Sequence, residues 1–593
     1  MMQRLGRLDE VLAGIALALM ALIPLVEIGA RPFMGRGFDN APLVVQHLGL
    51  VMAMWGAIAA QRHGHLTSLG KLFDRGEVVA NGIAGTICGI LTWASWQFVS
   101  SEMASSKELA YGIPVWWLQT MMPLGFAILG VKLAPTGLQN LQSRLLFAAV
   151  FPLIGFFMGA WFDGAVVPWW PCVVVLVVAL LGGAPIFTVL GGLALVLFWS
   201  DGLPLASIAL SHYQITVNPS LPALPLFTLA GLLFAKTHAA QRLGVVFIAI
   251  FGNGVAGTVI AATVLCSCFT AFTGVSGVTI LALGGLLLPL LRNAGYPEQR
   301  SISLVTSASA LGVLLAPSVP LIMYAIIARV PINTMFLAGL VPALVMVICL
   351  LIFGGYLRGP SNQLKSDAPA IPVSQALWNA KWEIFAPVMA IGSLASGLAT
   401  PTESAALTAI YAVLTQVFAH KELGWRLMGE CLSQCAQIIG GVMLVLGMAL
   451  GLTNYLVDAG VPDLAIDWVQ SVTHNKFVFL LALNVFLFFA GALMEIYAAI
   501  VVLVPVLLPL AVSYGIDPVH FGIIFLANME MGFLCPPAGM NIFFASAVFQ
   551  QPIRKVAISV LPALLAIFVG TLIISWLPMV AMGLPHYFAP SVQ

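Results

Sequence analysis

The sequence predicts an all-α polytopic membrane protein: a four-helix N-terminal part, then two inverted repeats that each carry a re-entrant hairpin and a broken helix. Three observations predict it. Hydrophobic residues make up 61% of the 593 residues and charged residues only 8%, against roughly a quarter charged in soluble chains. Many segments reach the ~20 apolar residues that span a bilayer. Proline and glycine interrupt such segments at positions that recur with one fixed spacing along the chain.

The first spans fall at 11–30, 43–60, 79–99 and 115–133. The N-terminal apolar run is longer than a signal-peptide core and reads as a retained helix. Arg4 and Arg7, then Arg62, Lys71 and Arg75, then Lys132 and Arg144 fall on one side if each span crosses once. Basic loops mark the cytoplasmic side. The loop at 100–114 then lies outside. A fifth segment at 145–161 leads to Asp163. The chain thus divides into 1–140, a connecting helix at 141–165, and a large part at 166–593. A polar connector at 358–381 separates two repeats, about 166–357 and 382–585.

At one constant offset, LLPL at 287–290 falls on LLPL at 507–510, Gly295 on Gly515, Gly312 on Gly532, Pro317 on Pro537 and Ala325 on Ala545. Lys236, Arg242, Arg292 and Arg300 flank the segment 253–290, whereas Asp458, Asp463, Asp467 and Asp517 flank 477–510. The repeats therefore enter the membrane from opposite faces. Each segment is well beyond the ~20 residues that one crossing needs. With both ends on one side, each is a re-entrant hairpin.

Broken backbone survives at membrane depth only where protein or a water-lined cavity meets its polar groups. Paired breaks in inverted repeats are the sequence pointer to a transport site: half-helix C-termini suit a cation and N-termini suit an anion. The first hairpin carries TGVSGVT at 273–279, with Gly274, Ser276 and Thr279, and faces LAPS at 315–318. The second carries GALMEI at 491–496 and faces CPPAGMN at 535–541. Glu495 stands deep in the membrane, where an ionisable group is costly and functional by default. Taken singly these features are ordinary: a Pro pair kinks helices, a Ser or Thr bonds its own backbone, and Glu495 or Glu403 can brace neighbouring helices.

These residues resemble the TRAP transporters, the tripartite ATP-independent periplasmic family, with their small and large membrane subunits fused. ATPTESAA at 399–406, GIDPVHFG at 515–522, CPPAGMN at 535–541 and LRNAGYPEQRS at 291–301 resemble large-subunit signatures over about 170–585. RHGH at 62–65, GIPVW at 112–116 and 118–125 resemble the small subunit over about 1–140. Gln46 stands where that subunit often has Glu, and Ala316-Pro317 where the large one often has Pro-Pro. The resemblance implies a Na⁺-driven importer in a bacterial inner membrane, supplied with an organic acid by a periplasmic binding protein. It also implies an elevator-type motion. Sodium ligands carried over by position are Gly274 and Ser276; Gly312, Ala316, Pro317 and Ser318; Met494 and Glu495; and Gly532, Cys535, Pro536, Pro537, Ala538 and Asn541. Thr400, Thr402 and Glu403 stand second. The residues alone do not choose sodium over protons.

A net charge of +1 gives nucleic acid no purchase. The eight cysteines lack zinc-ligand spacing and read as small buried hydrophobes. His63 and His65 have no third ligand and read as a solvated loop. No HExxH or GxSxG motif points to an enzyme. A stand-alone dicarboxylate or citrate-type carrier would have no need of the four N-terminal helices. A channel would show unitary currents.

Overall fold

A computed structural model describes residues 8–34, 40–63, 76–105, 107–134, 141–252, 254–357, 372–395, 399–536 and 539–588. In chain order the elements are α1 (Leu8–Met34), α2 (Ala41–His63), α3 (Gly76–Met103), β1 (Glu108–Ala110), β2 (Ile113–Pro114), α4 (Val115–Gln119), α5 (Met121–Lys132), α6 (Leu141–Phe162), α7 (Trp169–Leu181), α8 (Ile186–Ser200) and α9 (Ala206–Thr216). There follow α10 (Ala223–Lys236), α11 (Ala239–Phe251), α12 (Val255–Thr273), α13 (Ser276–Asn293), α14 (Glu298–Leu311), α15 (Val319–Ala328), α16 (Ile332–Phe353), α17 (Val373–Asn379), α18 (Lys381–Ala395) and α19 (Pro401–Leu414). Last come α20 (Trp425–Asp458), α21 (Val461–Val472), α22 (Lys476–Leu493), α23 (Ile496–Ser513), α24 (Pro518–Gly532), α25 (Met540–Phe549), α26 (Ile553–Trp576) and α27 (Pro578–Phe588). Among the described residues twelve helices are long and apolar enough to cross a membrane. The chain forms two compact units, residues 1–225 with 429–461, and residues 226–428 with 462–593.

In the first unit the expected spans at 11–30, 43–60 and 79–99 are α1, α2 and α3. The fourth differs: α4 and α5 meet at Thr120, and a two-stranded hairpin, β1 with β2, precedes them. The side chain of Asp9, only 2% exposed, accepts from Arg62 at 2.9 Å and from Lys132 at 2.8 Å. The start of α1 and the ends of α2 and α5 are thereby tied together, as the charge pattern required. Arg62 closes a helix instead of floating in a loop. The rest of that segment, 64–75 with Lys71 and Arg75, lies outside the described residues, as does His65. Helices α3 and α6 pack backbone to backbone: a Cβ on Gly89 would stand 2.1 Å from the Pro152 carbonyl oxygen, and one on Gly155 would stand 1.9 Å from that of Thr86. Small residues permit such contact, which is how helices adhere where lipid removes the hydrophobic drive.

In the second unit the repeat is visible in the boundaries themselves. Ser276 and Ile496 begin α13 and α23, Asn293 and Ser513 end them, and Glu298 and Pro518 begin α14 and α24. Every pair keeps the offset of the two LLPL strings. The expected hairpins are helix–break–helix units: α12 and α13 parted at 274–275, α22 and α23 at 494–495. The broken helices are α14, a 3₁₀ turn (Gly312–Leu314) and α15, and then α24 and α25. The two broken helices run antiparallel. Tyr324 near the end of the first donates to the carbonyl of Pro518, which opens the second, and α14 packs on α25 while α15 packs on α24. The exchange is reciprocal in the hairpins as well, α13 against α25 and α23 against α15. Inverted copies of one motif meet in this way.

The two short connecting helices α10 and α11 bend by 77°. Arg242 on α11 gathers three acceptors there: Glu383 at 2.8 Å, Glu422 at 2.6 Å and Gln416 at 3.2 Å. The expected connector at 358–381 is described only from residue 372, one residue ahead of α17. None of the eight cysteines forms a disulfide, and Cys172, Cys268 and Cys535 are half-buried. No cluster of metal-ligating side chains exists among the described residues.

Candidate functional site

The first hairpin turns at Gly274, which has φ +69°. Glycine is required there: a Cβ would stand 2.8 Å from the Val319 side chain, and left-handed backbone disfavours side chains. Behind the turn three hydroxyls lock together. Thr270 donates to Thr279 at 2.7 Å and Thr273 lies 3.1 Å from Thr279. Thr270 also lies 2.9 Å from the Ser309 carbonyl oxygen on α14. Thr279 therefore ties the two arms of the hairpin together, and Thr270 holds the hairpin to its own broken helix.

The second hairpin turns differently, through extended residues Met494 and Glu495. Tyr497, just past that turn, donates to the carbonyl oxygen of Gly274 at 3.2 Å, joining the two hairpin tips. Ser276 donates to Oδ1 of Asn541 at 2.8 Å, joining the first hairpin to the second broken helix. Both bonds are buried and link segments from different repeats.

These bonds frame a narrow cavity. Gly274, Ser276, Glu495, Tyr497, Glu530 and Asn541 line it, with apolar walls from Phe533, Met540 and Phe544. The space open to water centres is about 30 Å³, and one water needs ~10–15 Å³. Four of the expected residues, Gly274, Ser276, Glu495 and Asn541, are brought together here. The amide nitrogen of Asn541 and both carboxyl oxygens of Glu530 have no hydrogen-bond partner among the described residues.

The other expected residues that are described do not line this cavity. Gly312 packs against the first hairpin, since a Cβ there would be 2.1 Å from the Ser267 carbonyl oxygen. Gly532 makes the matching contact: a Cβ there would be 2.4 Å from Gly491. Ala316 and Pro317 are joined by a cis peptide bond. Ser318, wholly buried, stands at the N-cap position of α15, and its hydroxyl has no partner among the described residues. Cys535 and Pro536 form the turn out of α24, where Gly539 donates to the Cys535 carbonyl. Pro537 and Ala538 lie outside the described residues. Thr400 and Glu403 form the capping box that opens α19, with Glu403 accepting from the Thr400 amide at 2.8 Å; Thr402 sits in the same first turn.

Two residues of the cavity, Tyr497 and Glu530, escaped the sequence reading. The signal for Glu530 was present: an ionisable side chain inside an apolar run, just ahead of the Gly532 break. Tyr497 gave none, because aromatic residues are common in membrane helices. A buried knot of Asn484, Asn528 and Ser575, with bonds of 2.6 Å and 3.1 Å, was also missed.

Antiparallel repeats whose hairpins and broken helices meet at one buried polar cavity define a membrane transport protein, not an enzyme. Residues 173–580 match the family described as the tripartite ATP-independent periplasmic transporter, DctM component. Residues 20–142 match the DctQ component of the same transporters. The isethionate TRAP transporter permease protein DctMQ of Oleidesulfovibrio alaskensis is 30% identical, over 85% of this chain and 80% of that one. The C4-dicarboxylate TRAP transporter large permease protein DctM of Pseudomonas aeruginosa is 31% identical, over 68% of this chain and 94% of its own. The YdaH transporter of Alcanivorax borkumensis aligns with a TM-score of 0.42 at 15% identity, over 60% of this chain and 84% of that one. The chain belongs to the TRAP transporter family and carries its small and large membrane components in one polypeptide.

Proposed function

We propose that this chain is the membrane component of a sodium-coupled importer of an organic acid, a carboxylate or sulfonate, in a Gram-negative inner membrane. A periplasmic substrate-binding protein delivers the acid. Residues 1–140 and 166–593 correspond to the two components, joined through 141–165. The observation that carries this reading is the cavity where both hairpin tips meet the second broken helix. It offers hydroxyl, amide and carboxyl oxygens, the donors that hard cations take. It is too small for an organic acid as it stands, so the acid requires the hairpins to part. In an elevator cycle the hairpins and broken helices carry ion and acid together, and the small part braces the scaffold.

Sodium ligation is assigned to Gly274, Ser276, Glu495 and Asn541, with Gly312 to Ser318 and Gly532 to Pro536 shaping the breaks. The test is uptake into proteoliposomes from a panel of radiolabelled carboxylates and sulfonates, with a sodium or a proton gradient, with and without an added periplasmic substrate-binding protein. Accumulation that needs both sodium and the binding protein is expected. Accumulation without the binding protein would identify a stand-alone carrier, and accumulation with a proton gradient alone would end the sodium assignment.

A further inference from the structure

Glu530 breaks the symmetry of the repeats. In the register that sets Gly312 on Gly532, its counterpart in the first repeat is Ala310. The shared fold therefore has no need of an acid at this point of a broken helix. Yet Glu530 is 1% exposed, lines the cavity, and has both carboxyl oxygens unpartnered among the described residues. No Lys, Arg or His is among the described residues lining the cavity. A second carboxyl, Glu495, lines it too; its counterpart is Val275.

A bare carboxylate out of water is strongly unfavourable unless an opposite charge or several donors meet it. Among the described residues the protein offers neither to Glu530. The oxygens of Ser276 and Asn541 lie in the same cavity, and its water-sized space fits one small cation.

We propose that Glu530 is a charged ligand of the coupling cation in this cavity, and that its charge makes cation loading a precondition for entry of the organic anion. The inference rests on the sodium-coupled reading above and adds a residue and an order of events to it. With the cation absent, two carboxyls face the path of an anion and repel it. With the cation present, one charge is cancelled and the anion meets a less negative site. Linkage makes the effect mutual: the anion raises cation affinity by the same factor.

The test uses the purified full-length chain in detergent. Thermal unfolding is followed while sodium chloride replaces choline chloride at constant ionic strength, because a ligand that binds only the folded state raises its stability in proportion to occupancy. The wild type is expected to gain stability with sodium and saturate. Glu530→Gln should be no less stable than wild type in choline, since the uncompensated charge is gone. It should need about 10–100-fold more sodium to reach half its effect, at least what loss of an outer partner costs a metal site. Glu530→Asp, which keeps the charge one methylene away, should shift that midpoint less. An unchanged sodium midpoint in Glu530→Gln, or a variant that is destabilised in choline with no sodium shift, overturns the assignment and leaves Glu530 a structural acid. If Glu530→Gln does not fold, an unchanged midpoint in Glu530→Asp overturns it equally. A wild type indifferent to sodium would instead sink the sodium-coupled reading itself.

Discussion

Ser276 and Asn541 show how much one pair of side chains can carry. Their 2.8 Å bond is buried and joins the first hairpin to the second broken helix. Leaving a buried polar group unpaired costs about 1–3 kcal/mol, or roughly 5–150-fold in an ion's affinity. Asn541→Ala and Ser276→Ala are therefore expected to cut sodium-dependent uptake by that order while the protein still purifies as a single species; normal sodium dependence in both would refute their role. Glu422, outside the spans, offers a pH test. Burial alone would raise its carboxyl, but the Arg242 guanidinium together with the His238 amide and ring outweighs that and holds it below the usual glutamate range. A lowered folded-state value means the contribution is present above the ordinary range and lost as pH falls through the lowered one. Thermal stability should drop on acidification below the carboxylate range, and Glu422→Gln should flatten that drop.

Helices in the second unit meet through glycine. A Cβ on Gly532 would lie 2.4 Å from the Gly491 backbone, whereas one on Gly285 would meet nothing within 4 Å. Overpacking costs typically 1–3 kcal/mol, and a backbone cannot swing aside as a side chain does. Gly532→Val is expected to lower the melting temperature and the yield of folded protein. Gly285→Ala should hold stability or raise it by about 0.5–1 kcal/mol, the ordinary gain from alanine in a helix. Equal effects of the two would mean the α22–α24 crossing is not tight. At this scale the sequence was readable where a chemical rule is strict. Proline and glycine marked both breaks, and their fixed spacing marked the repeat. The pairing of α4 with α5 across Thr120 and the β1–β2 hairpin were not legible. The residues of α4 and α5 are apolar enough to pass for one span, the hairpin falls in a segment read as an outside loop, and only packing within the unit decides where a short helix stops.

The molecule joins in one chain what the Pseudomonas aeruginosa relative carries as a separate large permease. The two component matches cover 20–142 and 173–580, so α6 falls largely in the join between them, and a cut between 134 and 141 would make a seam ahead of it. The α3–α6 contact is close enough to hold without a covalent link, with Gly89 and Gly155 backbones in touch with Pro152 and Thr86. Two co-expressed pieces, cut within that seam, should co-purify through a tag on either one and transport as the intact chain does. Gly89→Leu should abolish the capture. Pieces that never associate would show that the covalent link, not packing, holds the unit.

The sequence by itself determined that the chain is a membrane protein of repeated design with interrupted spans, because solvation in lipid leaves few alternatives: apolar length makes a span, basic loops orient it, and a proline at depth needs a polar neighbour. It also marked four residues of the cavity, Gly274, Ser276, Glu495 and Asn541, through residue types that lipid does not tolerate without cause. Which of those residues face one another was decided only by tertiary structure. Thr279 and Gly312 brace and pack, Glu403 caps a helix, and Gly274, Ser276, Glu495 and Asn541 converge with Glu530 and Tyr497. A side chain's role at membrane depth depends on which distant helix stands opposite it, and that pairing is set by the antiparallel crossing of two segments far apart in the chain.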